Sequence, residues 1–157
     1  MGQILDTAIS FFREDGWSFT QLEEQPALRL GFQGENGQWS CYAQAREEQA
    51  QLLFYSLCPV KAPEDRRMAV AELLTRANYG LFIGNFELDM DDGEIRYKTG
   101  IDVKGDRLSL ALVRPLVYAN VLMMDRYLPG IMSVIYGNVA PAEAVAQVEG
   151  TASRADD

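Results

Sequence analysis

The chain has 157 residues, 48% apolar and 24% charged, a composition that suits one globular domain with a substantial core and is too apolar for a disordered chain. Its formal net charge of −9 argues against a nucleic-acid-binding protein, because phosphate recognition needs a basic surface. The absence of histidine excludes Ser-His-Asp and Cys-His catalysis and every histidine-ligated metal site.

The amino-terminal part predicts a helix followed by a β-hairpin. Between Gln3 and Asp15 the apolar residues recur at helical spacing, and Gly16 then ends the helix. Apolar and polar residues alternate over 28–33 and again over 39–46, which is the pattern of half-buried strands. We therefore expect two antiparallel strands after the first helix.

The register of this hairpin follows from the residues between the strands. Asn36-Gly37 is a strong signal for a two-residue type I′ turn. With this turn as the centre, Phe32 lies opposite Cys41, and the apolar positions of both strands share one face. A slip of one residue would destroy that match, so we expect this register.

A third strand, from about Gln49 to Cys58, is apolar on both faces, unlike a strand in a sheet that is covered on one side only. Its outward side chains extend a patch that begins on the polar face of the preceding strand. The patch consists of Tyr42, Leu53, Tyr55 and Leu57. A contiguous apolar surface that contains tyrosine favours a partner-binding site. The alternative is that a helix, such as the C-terminal one, covers this face.

Cys41 and Cys58 are the only cysteines. With a turn near Glu47-Glu48, Cys41 pairs near Phe54. Cys58 then lies about four residues further along the strand, which at about 3.4 Å per residue is beyond the reach of a disulfide. We therefore expect two free, buried thiols, as in a reducing cytoplasm. The alternative is a redox-active pair.

The middle of the chain predicts a second helix and a second hairpin. The helix extends from Pro63 to Tyr79, and Gly80 ends it. The hairpin has Asp92-Gly93 as its turn, and its alternating residues predict a single register. The predicted cross-strand pairs are Met90 with Ile95, Leu88 with Tyr97, Phe82 with Val103, Asp89 with Arg96, and Glu87 with Lys98.

The C-terminal part predicts a long apolar helix that begins between residues 109 and 115. Pro129-Gly130 breaks or kinks this helix, which then resumes as far as Tyr136. A short helix over 141–148 and a loose polar tail over 150–157 follow.

The predicted order is α-β-β-β-α-β-β-α, which makes the fold class α+β, with a single antiparallel sheet packed against helices. Residues 1–140 form one domain, and residues 141–157 form a short helix and a flexible polar tail.

The sequence contains only weak matches to catalytic or metal-binding motifs. The acidic run 89–94 resembles a calcium loop, but Gly93 stands where that loop needs a ligand, so a hairpin turn is favoured. Glu23-Glu24 and Asp91-Asp92 are carboxylate pairs, but nothing places them in a cleft. The chain has no glycine-rich phosphate-binding motif. We therefore expect no catalytic residue, no metal site and no cofactor.

Five aromatic residues offer an alternative function. A pocket between the sheet and the C-terminal helix, lined by these rings, would suit a small-molecule sensor. Ordinary core packing is the competing explanation. The five are Phe82, Phe86, Tyr97, Tyr118 and Tyr127.

Several short motifs resemble the YbjN-domain family. They are Asn78-Tyr79-Gly80-Leu81, Gly84-Asn85-Phe86-Glu87-Leu88-Asp89, Asp92-Gly93-Glu94-Ile95-Arg96-Tyr97, Tyr118-Ala119-Asn120 and Asp125-Arg126-Tyr127-Leu128-Pro129-Gly130-Ile131-Met132. The resemblance spans residues 3–140 and implies a bacterial sensory-transduction regulator. It also implies the helix and strand order of the dimeric chaperones of type III secretion, and it brings no catalytic residues.

Together these observations predict a non-enzymatic, protein-binding or regulatory module in the cytoplasm, which forms a homodimer and has a protein partner of unknown identity. The amino-terminal residues lack the regions of a secretory signal, and charged residues interrupt the apolar stretch 108–136. We therefore expect neither export nor a membrane partner, and no nucleic-acid partner. The alternatives are a small-molecule sensor and an enzyme without histidine that uses carboxylates or a metal, with Asp91 and Asp92 as its candidate residues.

Overall fold

A six-stranded antiparallel sheet runs through the computed structural model, which describes residues 2–156 and their side chains as far as Gly150. The strands are β1 (Phe19–Gln21), β2 (Ala27–Gln33), β3 (Gln38–Arg46), β4 (Gln51–Leu57), β5 (Asn85–Leu88) and β6 (Ile95–Asp102), in the order β1-β2-β3-β4-β6-β5. The helices are α1 (Gln3–Glu14), α2 (Arg67–Tyr79), α3 (Leu110–Tyr136) and α4 (Pro141–Asp156), with a 3₁₀ turn at Glu64–Arg66. The α+β class is confirmed, and β1 is a short additional strand that the sequence did not predict.

Helices α1 and α3 pack on one face of the sheet, and the core lies between them and the strands. Phe12 of α1 stacks on Phe54 of β4, with ring centres 5.9 Å apart. Asn120 of α3 is fully buried, and its side-chain amide donates hydrogen bonds to the carbonyl oxygens of Phe54 (2.8 Å) and Tyr97 (3.0 Å). Because these bonds tie a buried amide group of α3 to the backbones of two strands, they fix the position of α3 against β4 and β6.

The amino-terminal end of α1 is capped by a side chain from a distant loop. The carboxylate of Glu47, in the β3–β4 connection, accepts hydrogen bonds from the backbone N–H groups of Ile4 (3.0 Å) and Leu5 (2.9 Å). These N–H groups have no partner within the helix, and a negative charge at this end also interacts favourably with the helix dipole. Glu47 therefore ties the sheet to α1.

Helix α3 is continuous from Leu110 to Tyr136, so of the predicted break or kink at Pro129-Gly130 the break is wrong. Proline has no backbone N–H, and it therefore frees the carbonyl group four residues earlier, which is that of Asp125. The side-chain amide of Asn36, in the β2–β3 loop, donates a hydrogen bond to this oxygen at 2.9 Å. Because the freed acceptor is satisfied in this way, the helix can continue through the proline.

The β2–β3 register differs from the prediction by two residues. Leu30 rather than Phe32 lies opposite Cys41, because the connecting loop has four residues, 34–37, instead of two. The β3–β4 register shows the same shift, again with a loop of four residues, 47–50. Since side chains alternate with a period of two, a shift of two residues leaves every side chain on its predicted face.

The second hairpin is also shifted by two residues. Leu88 rather than Met90 lies opposite Ile95. The predicted pairing of Phe82 with Val103 is wrong, because β5 begins after Phe82. The observed pairs are Asn85 with Lys98, Phe86 with Tyr97, Glu87 with Arg96, and Leu88 with Ile95.

Cys41 and Cys58 are both free thiols, as predicted. Ser56 rather than Phe54 lies opposite Cys41, so Cys58 lies two residues beyond that partner instead of four. Burial raises the pKa of each thiol to about 11. Because the thiolate is the reactive form of cysteine, thiols of this kind are unreactive at neutral pH, which argues against a redox-active pair.

The C-terminal helix α4 extends further than the short helix that the sequence predicts over 141–148, since its backbone is helical as far as Asp156. The loose polar tail expected over 150–157 stays a prediction, because the side chains of residues 151–157 lie outside the described part of the chain. Within residues 2–156, none of the helices has the length and apolar character needed to cross a membrane.

Candidate partner-binding surfaces

One face of the sheet is not covered by any helix of the described residues 2–156, and we call it the outer sheet face. Its centre is formed by the four predicted residues, which alternate along β3 and β4 with the buried side chains of the core. They are Tyr42, Leu53, Tyr55 and Leu57. The suggestion that the C-terminal helix covers them is wrong, because Asn120 holds α3 against the opposite face.

The four central side chains form one continuous patch across two strands. Tyr42 of β3 lies directly opposite Tyr55 of β4. On the next strand, Gly100 lies opposite Leu53, and a Cβ atom at Gly100 would be 2.7 Å from Leu53 Cδ2. The missing side chain lets Leu53 lie flat over β6. All four residues of the patch are half-buried.

Charged side chains border this patch on the β6 side. The guanidinium of Arg96 lies 4.4 Å from the ring centre of Tyr55, within the range of a cation–π interaction. Glu87 accepts a hydrogen bond from Arg96 Nε (2.7 Å) and another from Lys98 Nζ (2.9 Å). Burial alone would raise the pKa of Glu87, but the hydrogen bonds and charges of Lys98 and Arg96 outweigh it and lower that pKa. The border is therefore ordered at neutral pH.

A shallow depression of about 220 Å³ lies within this face, between the tyrosine pair and Arg96. Its lining combines aromatic rings and one aliphatic side chain with amide and charged groups. A side chain of a bound peptide could enter it. The depression is lined by Gln25, Ala27, Tyr42, Gln44, Tyr55, Leu57, Glu94 and Arg96.

A second surface, which the sequence analysis missed, lies in the α2–β5 loop. Tyr79, Phe82 and Ile83 are 96%, 98% and 60% exposed, and we call them the 79–83 cluster. The hydroxyl of Tyr97 donates a hydrogen bond to the carbonyl oxygen of Ile83 at 2.6 Å and so anchors the loop. An exposed loop could have been predicted here from the sequence. The apolar run between Gly80 and Gly84 lacks the alternation of apolar and polar residues that is typical of a strand.

The sheet edge next to this cluster is closed. β5 pairs only with β6, and its other side faces α2. The side chain of Asn78 accepts a hydrogen bond from Phe86 N (2.7 Å) and donates one to Phe86 O (3.0 Å). The amide group thus takes the place of a neighbouring strand. An added strand from a partner would have to displace Asn78, so this edge is not open to strand addition.

The five aromatic residues proposed for a sensor pocket do not come together. Phe86 packs edge-to-face on Tyr97 and Tyr127, with ring centres 4.8 and 5.5 Å away, and all three are buried in the core. Phe82 is on the surface. Tyr118 lies elsewhere, against the end of α1. Core packing therefore explains the buried rings, and the predicted aromatic pocket is wrong.

The acidic run 89–94 forms the loop of the second hairpin. Asp89 Oδ1 accepts a hydrogen bond from the backbone N–H of Asp91 (2.8 Å), and Asp92 Oδ1 accepts one from that of Glu94 (2.9 Å). Their carboxylates therefore stabilise the turn. Among the described residues, no three potential metal ligands of the cysteine, aspartate or glutamate type come together.

Comparison with known proteins identifies relatives of this chain. The YbjN family, with the description "Putative bacterial sensory transduction regulator", matches residues 6–132. No curated protein matches the sequence.

Three solved structures are similar in fold. "Crystal structure of YbjN, a putative transcription regulator from E. coli" has a TM-score of 0.60 and 17% identity, covering 80% of this chain and 89% of the other. A chain of the ExsC-ExsE complex has a TM-score of 0.57 and 14% identity, covering 82% and 96%. A chain of the HopA1-SchA chaperone–effector complex has a TM-score of 0.50 and 15% identity, covering 80% and 91%. The expected chaperone-like fold is therefore confirmed.

Proposed function

This chain belongs to the YbjN family, and from this premise we propose that it is a non-enzymatic, protein-binding regulatory module that acts as a homodimer in the cytoplasm. Two structures that share its fold are complexes of two proteins, one of them a chaperone with its effector. The two free, protonated thiols suit a reducing compartment.

The observation that carries the proposal is the uncovered outer sheet face. Its tyrosine pair, its leucines and Arg96 are the residue types that are enriched where proteins bind one another. The ordered charges of Glu87 and Lys98 supply a polar rim. We therefore assign the protein partner to the patch of Tyr42, Leu53, Tyr55 and Leu57.

The 79–83 cluster has a different character, and we assign it to the homodimer. Tyr79 and Phe82 expose nearly their whole side chains to solvent, and Ile83 more than half. Permanent homodimer interfaces are more apolar than interfaces with exchanging partners. Burial of these three side chains between two copies would remove the most exposed aromatic surface of the described chain.

We expect the wild-type protein to be a dimer of about 35 kDa, twice the chain mass of 17.6 kDa, and Phe82→Ser/Ile83→Ser to be a monomer. The measurement is size-exclusion chromatography with light scattering at several concentrations. Leu112→Ser/Tyr136→Ser, which alters exposed apolar residues of α3, is the matched control and should stay dimeric. A wild-type monomer at every concentration would refute the dimer, and a dimeric Phe82→Ser/Ile83→Ser would refute this interface.

We expect Leu53→Ser/Tyr55→Ser to reduce capture of the protein partner from lysate at least tenfold, because one good hot-spot residue contributes about 2 kcal/mol or more. Both side chains are only half-buried, so circular dichroism should show an unchanged fold. The same Leu112→Ser/Tyr136→Ser control should capture normally. Equal capture by the outer-face variant, with the fold intact, would show that the partner binds elsewhere.

A further inference from the structure

A cavity of about 590 Å³ lies on the far side of α3 from the core. Its walls come from three elements that are distant in sequence, namely the β2–β3 loop, α3 and α4. Their side chains include Asn36 from the loop, Leu122 and Arg126 from α3, and Ala144 and Val148 from α4. The volume lies within the range of about 300–1,000 Å³ that is typical of small-molecule sites.

The walls of the cavity are held in place before any ligand arrives. The carboxylate of Asp125 accepts hydrogen bonds from the backbone N–H groups of Glu35 (3.0 Å) and Asn36 (2.8 Å), which fixes the loop on α3. Gly130 allows α4 to approach closely, since a Cβ atom there would lie 3.0 Å from Val148 Cγ2. A site whose walls are already ordered loses little entropy when it binds a ligand.

Arg126 differs from the other charged residues of this cavity because its guanidinium lacks an anionic partner in the described part of the chain. Among the described residues its guanidinium makes no ion pair and no hydrogen bond, and its Nε–H is buried without an acceptor. The ring centre of Tyr127 lies 5.4 Å from the guanidinium carbon. An arginine that is partly buried without an anion is ready to bind one, and its planar group matches a carboxylate.

The other lining groups narrow the class of anion. Leu122, Pro129, Ala144 and Val148 present apolar surface beside the guanidinium. Glu35 and Asp125 also line the cavity, and both oxygens of Asp125 already accept hydrogen bonds from the β2–β3 loop. A second negative charge on a ligand would be repelled by these two carboxylates. The lining therefore favours one negative charge on an apolar body over a phosphate dianion.

We propose that this cavity binds a small monocarboxylate with an aliphatic chain, with its carboxylate on Arg126 and its chain between α3 and α4. This site is separate from the outer sheet face and from the 79–83 cluster. Its occupancy does not depend on the assignment of either surface.

The test is a titration of the full chain with sodium octanoate, followed by two-dimensional NMR of the backbone amides. We expect saturable shifts at Asn36, Gly130 and Val148, at least tenfold weaker binding to Arg126→Gln, and no such shifts with octylammonium. Arg107→Gln, which removes an exposed arginine elsewhere, should bind as the wild type does.

Val148→Phe fills the cavity without a change of charge, and it should also abolish the octanoate shifts. The amide spectra themselves show whether each variant is folded. Absence of saturable shifts in the wild type would overturn the proposal. Equal binding by folded Arg126→Gln, or equal shifts with octylammonium, would overturn the role of the guanidinium.

Discussion

Replacement of Gly93 by alanine is expected to lower the free energy of unfolding by about 3 kcal/mol or more, as the sum of backbone strain and overpacking. Gly93 has a φ of +84°, a conformation that side chains with a Cβ rarely adopt. In addition, a Cβ atom at this position would lie 2.1 Å from the carbonyl oxygen of Ala62, so the backbone would have to move.

The carbonyl group of Ala62 cannot move away cheaply. The backbone N–H of Ala62 donates to Gly93 O at 2.8 Å, and the guanidinium of Arg67 donates to Ala62 O at 3.1 and 3.3 Å. The N–H and the carbonyl oxygen of Ala62 are therefore both held by hydrogen bonds, so the segment before α2 is fixed next to the second hairpin. Relief of the clash would break at least one of these bonds, which adds to the loss of stability.

Gly105→Ala is the matched control for this prediction. Gly105 has nearly the same φ, +82°, but a Cβ atom there would meet nothing within 4 Å. Its replacement should therefore lower the free energy of unfolding by only about 1 kcal/mol, through backbone strain alone. Urea denaturation measures both values. If the two variants lost the same stability, the contact with Ala62 would be unimportant.

Asp125→Ala is expected to lower the free energy of unfolding by about 3 kcal/mol, because each hydrogen bond to a charged group contributes about 1.5–3 kcal/mol. The change leaves the backbone N–H groups of Glu35 and Asn36 without their acceptor. Asp125→Asn keeps one acceptor oxygen but turns an NH₂ group towards the second N–H, so we expect a loss between those of the alanine variant and the wild type.

Thermal and urea unfolding of both Asp125 variants would check this result. Asp91→Ala removes a carboxylate of the same kind from an exposed hairpin loop, and it should change the free energy of unfolding by less than about 0.5 kcal/mol. A loss for Asp125→Ala no larger than for Asp91→Ala would show that the loop does not depend on the carboxylate.

The strands and their faces were predictable from the sequence, whereas the turns were not. Alternation with a period of two is local, so Cys41 and Phe54 were placed correctly on the inner face and Tyr55 on the outer one. The loops after β2 and β3, however, each depend on a contact with a distant element: Asp125 of α3 binds the loop after β2, and Glu47 in the loop after β3 caps α1. Turn signals within a hairpin carry no information about such contacts.

The candidate binding surfaces were likewise predictable only in part. The four outer residues could be identified from their position on the strands, but whether a helix covers them depends on Asn120, which selects the face on which α3 packs. The exposure of Phe82 depends on where β5 begins. That start is set by Asn78, near the end of α2, whose side chain binds the backbone of Phe86. The exposure of both surfaces is therefore decided by contacts between helices and strands, and not by the hydrophobic pattern of the sequence.

The closure of β5 by Asn78 also limits how this protein can aggregate. An open edge strand can recruit the next molecule, whose own free edge recruits another, and the growth has no natural end. Here one edge is blocked by a side-chain amide, and the other is β1, which is only three residues long. The chain can therefore expose apolar side chains on its surface without growing into fibres through its sheet. Its association then ends in closed complexes of finite size.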